Sequence, residues 1–231
     1  MATGRKRTHY PEKKQRAAIA ATVAGAAPRR SLSTDRARSG SAGAAGRVRI
    51  VGGAWKRTPI AVADIPGLRP TPDRVRETLF NWLAFLRPDL ASMRGLDLFA
   101  GTGALGFELA SRGAARVVLV EQRAELVARL EALKGRLGAT QIEIVPGDAL
   151  SVAVRLAPGT FDIVFLDPPF GGGLLWPAVE RARTLLAADG LIYVESAELV
   201  DAEAARRAGL EVVRAGRAGR VRFHLLRSDG S

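Results

Sequence analysis

The amino-acid sequence predicts an α/β fold with a doubly wound, mostly parallel sheet. Strand-like and helix-like segments alternate strictly between residues 96 and 195. A glycine-rich turn follows the first of these strands, and acidic residues end or follow the next ones. Open α/β sheets bind ligands beyond the carboxyl ends of their strands, so a ligand site is expected there.

The predicted strands and helices follow one another in a regular order. Strands are predicted at Leu96–Ala100, Arg116–Glu121, Gln141–Pro146, Phe161–Leu166 and Leu191–Glu195. Helices are predicted near Ala104–Ser111, Arg123–Leu137 and Leu175–Ala187. The stretch "GLEVVRAGRAGRVRFHLLR" predicts two further strands around a glycine-rich turn, and this C-terminal hairpin would add an antiparallel strand to the sheet.

Composition restricts both the size of the core and the available chemistry. With 231 residues, 47% of them hydrophobic, the chain can form one sizeable core. It lacks cysteine, which excludes disulfides, thiolate metal sites and thiol nucleophiles. Its two histidines, His9 and His224, are too few for a histidine metal cluster, so neither a metal nor a catalytic histidine is expected. No apolar run approaches the roughly 18 residues of a membrane helix.

Positive charge is concentrated in the first 46 residues. Ten Lys or Arg residues and two acids precede residue 47, a net charge of +8 out of +12. Such charge attracts polyphosphates, so nucleic acid is the first partner to consider. Residues 1–46 are interpreted as a basic, disordered extension, either an RNA-binding arm or a segment without function. Its alanine-rich run is too weakly apolar for a secretion signal, and a cytoplasmic location is expected.

A small β-hairpin is predicted over residues 47–68. "RVRIVGGAWKRTPIAV" alternates well enough for two short strands around Gly52 and Gly53. A basic, aromatic hairpin of this kind could bind RNA or cap the core, and the sequence does not separate these interpretations. The candidates for RNA contact, from the hairpin and the segment after it, are Trp55, Lys56, Arg57, Arg69 and Arg74.

A leading helix opens the main domain, which is predicted over residues 69–231. In "LRPTPDRVRETLFNWLAFL", Thr71 is an N-cap candidate, Pro72 suits the first helical position and Asp73 the first turn. Helical spacing places Val75, Leu79, Leu83 and Leu86 on a core face. The predicted polar face carries Arg69, Arg74, Arg76, Glu77 and Asn81.

Acidic residues and glycines at the strand ends indicate an adenosine-containing ligand. "LDLFAGTGALG" places Asp97 in the first strand and Gly101, Thr102 and Gly103 in the turn, whose glycines let the backbone approach a ligand closely. Glu121 ends the second strand, where a carboxylate can accept both hydroxyls of a ribose. The acid in "PGDAL", Asp148, follows the third strand and could meet an adenine amine. The G-x-G-x-x-G spacing also fits a dinucleotide site, so an NAD-dependent oxidoreductase stays a distant alternative.

The stretch "FDIVFLDPPF" indicates chemistry on an aromatic amine. A carboxylate, Asp167, and a backbone carbonyl, that of Pro168, could hold the two hydrogens of guanine N2 or adenine N6 and free its lone pair to attack a methyl group. Pro168 and Pro169 stiffen this loop, so the acceptors are positioned in advance. Phe170 could stack on a base that is unpaired or turned out of its helix. The motif does not distinguish the two purines, and an adenine-N6 methyltransferase acting on RNA or DNA stays an alternative.

From about Arg49 to Arg227, the chain resembles the bacterial 16S ribosomal RNA guanine-N2 methyltransferases of the RsmD type. The resemblance is carried by "RIVGGAW", "LRPTPDRVRETLFNWL", "LDLFAGTGALGFELASRGA", "FLDPPF" and "LIYVES". It implies a Rossmann-like class I methyltransferase fold, S-adenosylmethionine as methyl donor, no metal, and a monomer that modifies a guanine in a partly or fully assembled small ribosomal subunit.

The resemblance also implies a role for each matching site residue. Asp97, Gly101 and Gly103 would line the methionine side of the cofactor, Glu121 the ribose and Asp148 the adenine, while the segment Asp167 to Phe170 would hold the target base. Proteins of this family usually begin near "RIVGG", so the first 46 residues depart from the family pattern. They could also reflect a start codon placed too early. A protein that binds RNA without catalysis is a further alternative, but it would not need a cofactor pocket with the three acids Asp97, Glu121 and Asp148.

Overall fold

A computed structural model describes residues 47–63, 65, 71–169, 171 and 173–229. The predicted extension 1–46 lies outside these residues, as do Arg69 and Phe170. None of the helices in the described part is long and apolar enough to cross a membrane.

A seven-stranded sheet forms the centre of the fold, and its order is β5-β4-β3-β6-β7-β9-β8. Its strands are β3 (Arg94–Asp97), β4 (Arg116–Glu121), β5 (Ile142–Pro146), β6 (Phe161–Leu166), β7 (Leu186–Ser196), β8 (Leu210–Ala218) and β9 (Val221–Ser228). Strands β3 to β7 run parallel, β9 pairs antiparallel with β7, and β8 pairs antiparallel with β9. The predicted fold class, including the C-terminal hairpin, is confirmed.

Six helices in the described part of the chain cover the two faces of this sheet. They are α1 (Asp73–Leu86), α2 (Ala104–Ser111), α3 (Ala124–Leu137), α4 (Ala149–Arg155), α5 (Leu175–Leu185) and α6 (Ala202–Arg207), and a 3-10 turn at Leu90–Ser92 precedes β3. Apolar residues of α1, α2 and α3 belong to one buried cluster and those of α4, α5 and α6 to a second. The sheet therefore separates two layers of helices, as its nearly continuous apolar strands require.

The structure differs from the prediction mainly at short elements and boundaries. Helices α4 and α6 were not predicted, because seven and six residues give too little periodicity to recognise. The first predicted strand, Leu96–Ala100, instead spans Arg94–Asp97, since the chain leaves the ladder to enter the glycine turn. The helix predicted to reach Ala187 ends at Leu185, where β7 begins.

Three predictions for α1 were wrong, those for Thr71, Pro72 and Arg76. Thr71 does not cap the helix. Its hydroxyl donates to Glu195 Oε1 at 2.6 Å, and Pro72 occupies the cap position without a side-chain hydrogen bond. Arg76 was placed on the polar face but is fully buried, since its guanidinium pairs with Asp73 and Glu108.

The N-terminal hairpin, β1 (Arg47–Arg49) with β2 (Pro59–Ala61), docks on α2 through its loop. The amides of Val51 and Gly52 donate to the buried carboxylate of Glu108, at 2.6 and 2.8 Å. The amide of Ala54 donates to the Ser111 carbonyl at 2.7 Å. A Cβ at Gly53 would lie 1.8 Å from that same carbonyl oxygen, so the close approach needs glycine.

Candidate active site

A cavity of about 600 Å³ opens at the carboxyl ends of the central strands. Strands β3 and β6 are neighbours there although they are not consecutive, which makes this edge the topological switch point of the sheet. Eight predicted site residues line the cavity: Asp97, Gly101, Thr102, Glu121, Asp148, Asp167, Pro168 and Pro169.

The remaining described candidates do not line this cavity. Trp55 is half-buried, and its ring packs against Phe107 with 6.5 Å between centroids. Lys56, Arg57 and Arg74 are exposed elsewhere on the surface. Trp55 thus contributes to the docking of the hairpin, and the three basic side chains are available to solvent.

The glycines of the turn let the chain pass directly from β3 into α2 and let α2 pack closely on the sheet. Gly103 has a φ of 78° and precedes the first residue of α2, a left-handed conformation that favours glycine. A Cβ at Gly106 would lie 2.1 Å from Leu119 Cδ2, so its absence allows α2 to pack closely on β4. These two glycines shape the turn, whereas Gly101 lines the cavity directly.

Glu121 connects the glycine turn to the end of β4. Its Oε2 accepts from the Gly101 amide and its Oε1 from the Arg123 amide, each at 2.8 Å. The side chain is therefore fixed by backbone donors at both oxygens. Because a carboxylate oxygen has two acceptor sites, each oxygen can still accept a hydrogen bond from a ligand hydroxyl.

Asp97 lies at the end of β3 and is almost completely buried. Its Oδ2 accepts from the Gly106 amide at 3.2 Å, while its Oδ1 is buried and has no hydrogen-bond partner among the described residues. Burial raises the pKa of Asp97 to about 7, although the amides of Gly106 and Phe99 oppose the rise, and the nearby carboxylates of Glu121 and Glu195 add to it. A cationic or hydrogen-bond-donating ligand group would satisfy this oxygen.

Asp148 occupies the N-cap of α4 at the mouth of the cavity. Its Oδ1 accepts from the Ser151 amide at 2.9 Å, and this contact lowers the pKa of Asp148. The side chain is exposed and ionised at neutral pH, so it can accept a hydrogen bond from a ligand amine.

The Asp-Pro-Pro segment follows β6 directly. Asp167 is partly buried, Pro168 is buried and Pro169 is exposed. A strand with six buried residues holds Asp167 from one side, and Pro168 and Pro169 have restricted φ angles. The carboxylate and the Pro168 carbonyl thus belong to a stiff part of the cavity wall.

The polar residues Glu195 and Thr71 line the cavity wall but were not predicted as site residues, and the same holds for Gln122 and Arg123. Glu195 lies in β7 at its carboxyl end, and its Oε1 accepts from the hydroxyls of Thr71, at 2.6 Å, and Tyr193, at 3.0 Å. Burial, followed by the charge of Glu195, raises the pKa of Tyr193 well above its usual value. The sequence could have indicated Glu195 as a site residue, because it ends the fifth predicted parallel strand just as Glu121 ends the second.

Metal ligands and histidine chemistry are not indicated in the described residues. They contain no group of three or more His, Cys, Asp or Glu side chains that could hold a metal ion. His224 is fully buried in β9 and its Nε2 accepts from the Val200 amide at 3.3 Å. Burial lowers the pKa of His224, which favours the neutral imidazole.

The family described as "Conserved hypothetical protein 95" matches residues 48–227. The protein named "Ribosomal RNA small subunit methyltransferase D" of Escherichia coli (strain K12) is 45% identical over 154 residues, which cover 65% of this chain and 75% of that protein.

Solved structures agree with this match. The Escherichia coli protein yhhF has a TM-score of 0.65 and 39% identity, with 79% of this chain and 98% of that chain covered. A precorrin-6y C5,15-methyltransferase from Geobacter metallireducens, at 17% identity and a TM-score of 0.56 over 73% of this chain and 93% of that chain, shares the fold alone. The chain belongs to the family of the ribosomal RNA small subunit methyltransferase D proteins.

Proposed function

We propose that this protein transfers a methyl group from S-adenosylmethionine to the exocyclic N2 amine of a guanine in 16S rRNA. The observation that carries the proposal is that one cavity is lined both by the acids Asp97, Glu121 and Asp148 and by the Asp167-Pro168-Pro169 segment. The name of the Escherichia coli relative supports ribosomal RNA as the substrate class and methyl transfer as the reaction, in preference to NAD chemistry.

The residues of the cavity fit S-adenosylmethionine. The unpartnered, buried Oδ1 of Asp97 matches a cationic group, and this cofactor carries both an ammonium and a sulfonium. Glu121 and Asp148 offer acceptors for ribose hydroxyls and an adenine amine. A volume of about 600 Å³ also suits a ligand of this size.

The target amine would be held by Asp167 and Pro168. An exocyclic amine is a poor nucleophile because its lone pair is delocalised into the base. When the Asp167 carboxylate and the Pro168 carbonyl accept its two hydrogens, the nitrogen becomes pyramidal and its lone pair is directed. Bound S-adenosylmethionine would supply a methyl group on a positively charged sulfur: the sulfur–methyl bond would break as the nitrogen–methyl bond forms, and the surplus proton of the amine would leave through the Asp167 carboxylate that accepts it. The protein contributes through positioning and fixed dipoles, without a covalent intermediate.

The target base must leave its stack to enter the cavity, and basic residues outside the cavity would hold the flanking RNA. Lys56, Arg57 and Arg74 are exposed and could contact phosphates. An assembled or partly assembled small subunit as substrate implies a cytoplasmic location.

The proposal is tested by incubating the protein with methyl-labelled S-adenosylmethionine and either unmodified small subunits or naked 16S rRNA. After digestion to nucleosides, label is expected in N2-methylguanosine, and the better acceptor identifies the assembly state recognised. Label in N6-methyladenosine would instead assign the enzyme to adenine, and absence of label with both substrates would contradict the proposal.

A substitution separates the roles assigned within the cavity. Asp167→Ala should lower kcat by about 10²- to 10³-fold, since it removes one fixed acceptor of the target amine. Cofactor affinity, measured by calorimetry, should stay unchanged. Asp229→Ala, an exposed acid near the end of the described chain, serves as the control and should behave like the wild type. Loss of cofactor binding in Asp167→Ala would contradict its assignment to the substrate side.

A further inference from the structure

The C-terminal hairpin carries a concentration of positive charge that neither the fold nor the cofactor pocket requires. Residues 212–226 contain four arginines and no acid. Three of these arginines lie around the turn of the hairpin: Arg217 in β8, Arg220 between the strands and Arg222 in β9. We call these three residues the arginine tip.

The arginine tip lies at the same edge of the sheet as the candidate active site. Strand β9 runs antiparallel to β7, so its first residues lie beside the carboxyl end of β7, and Arg222 pairs with Ser196. Val221, the neighbour of two tip arginines, lines the cavity that contains Asp97 and Asp167. Successive strand residues point to opposite faces, so Arg222 and its cross-strand partner Arg217 lie on the face opposite to Val221, and a ligand leaving the cavity would reach the tip around the end of the hairpin.

Two of the arginines oppose each other directly. Arg217 and Arg222 are cross-strand partners in the β8–β9 pair, so their side chains leave the same face. Like charges in this position destabilise a hairpin. Within the described part of the chain, no carboxylate forms an ion pair with Arg217, Arg220 or Arg222, although Arg227 at the other end of the hairpin pairs with Glu211. Arg217 Nε donates to the Gly219 carbonyl at 2.9 Å, but no carboxylate among the described residues offsets the like charges, so a bound anion would relieve the repulsion.

We infer that the arginine tip binds backbone phosphates of the substrate RNA next to the target nucleotide. A base held in the cavity has a phosphate on each side, and guanidinium groups match phosphate oxygens in charge and hydrogen-bond geometry. Phosphate contacts of this kind fix the register of the RNA without reading its sequence. This inference rests on the proposed function, because it concerns the RNA whose target base enters the same cavity.

The test compares the double variant Arg217→Gln/Arg222→Gln with Arg227→Gln, a matched control on the same hairpin. With naked 16S rRNA, the double variant should raise KM about tenfold near 50 mM salt, and its log–log salt slope should become shallower by about 1 to 2 units. We expect kcat and S-adenosylmethionine affinity to stay within about twofold, and the control to match the wild type. Arg217→Lys/Arg222→Lys keeps the charge and should recover most of the affinity.

The outcomes separate the inference from the proposed function. If the wild type forms no N2-methylguanosine on any ribosomal substrate, the proposed function fails. If it does so, but the double glutamine variant keeps the wild-type KM and salt slope, only the arginine tip is wrong. An effect confined to assembled subunits would also overturn it, because the anion would then belong to another component of the particle. Thermal unfolding checks the fold, and removal of the opposed charges should not lower Tm.

Discussion

Two buried carboxylates, one within α2 and one before it, differ in how completely their charge is compensated. Glu108, within α2, accepts from the amides of Val51 and Gly52 and from the guanidinium groups of Arg76 and Arg112. Asp97, before α2, has one oxygen without a hydrogen-bond partner in the described part of the chain, and its pKa rises to about 7.

This difference in hydrogen bonding indicates the role of each carboxylate. A buried carboxylate with four donors contributes to the fold, since it joins the hairpin loop, α1 and α2 at one point. A buried carboxylate left half-satisfied opposes folding, so its retention beside a cavity suggests a ligand. Glu108 and Asp97 are both buried, so burial does not distinguish a structural carboxylate from one that binds a ligand. Their hydrogen bonds do.

The largest effect on the free energy of unfolding is expected at Glu108, the carboxylate with four hydrogen-bond donors. Glu108→Ala should lower the free energy of unfolding by about 3–5 kcal/mol, because it removes one of the two countercharges of the buried Arg76 guanidinium and leaves the amides of Val51 and Gly52 without their acceptor. Chemical denaturation measures the change. The matched control is Glu125→Ala, which breaks only the exposed pair with Arg129 and should cost about 0.5 kcal/mol or less. Similar losses in the two variants would contradict the structural role of Glu108.

At the half-satisfied site, substitution should change the pH dependence of stability. The pKa of Asp97 is raised in the folded state, so the folded protein binds a proton that the unfolded chain has released, and stability falls as pH rises from about 4 to about 7. Asp97→Asn removes this fall. Relative to the wild type, the variant should gain on the order of 2 kcal/mol between pH 5 and pH 7, measured by denaturation without ligand.

An equal pH profile for wild type and variant would show that Asp97 ionises normally and is already compensated. Asp148→Asn serves as a control with the opposite sign, since its pKa is lowered. That variant should lose stability relative to the wild type as pH rises through the acidic range, and only slightly because the side chain is exposed.

A smaller effect should follow from removing one of the four donors to Glu108. Arg112 donates to Oε1 at 2.9 Å and is only partly buried, and its guanidinium also lies 4.7 Å from the centre of the Phe80 ring. Arg112→Gln should therefore cost about 1 kcal/mol in denaturation experiments, since three donors remain. A loss as large as that of Glu108→Ala would mean that the cluster depends on every member.

Periodicity and strand order were sufficient to predict the sheet and the acids at its edge, since Glu121 and Asp148 follow from the positions where parallel strands end. Arg76 was wrongly assigned because helical spacing separates core from surface by polarity, and a buried ion pair does not follow that rule. Thr71 was wrong as a cap because its partner, Glu195, is distant in sequence. The hydrogen bonds that distinguish Glu108 from Asp97 likewise join α2 to a loop 56 or 57 residues away.

The most direct test of this account is calorimetric titration of S-adenosylmethionine into the wild type and Asp97→Asn. Wild-type binding should strengthen as pH rises from about 6 to 8, because the raised pKa of Asp97 lies in this range and only the ionised carboxylate attracts a cation. At pH 8, the variant should bind about 10- to 100-fold more weakly, because a charge-assisted contact is lost. Equal affinity in the two proteins, with no pH dependence, would contradict the claim that the half-satisfied carboxylate is kept for the cofactor.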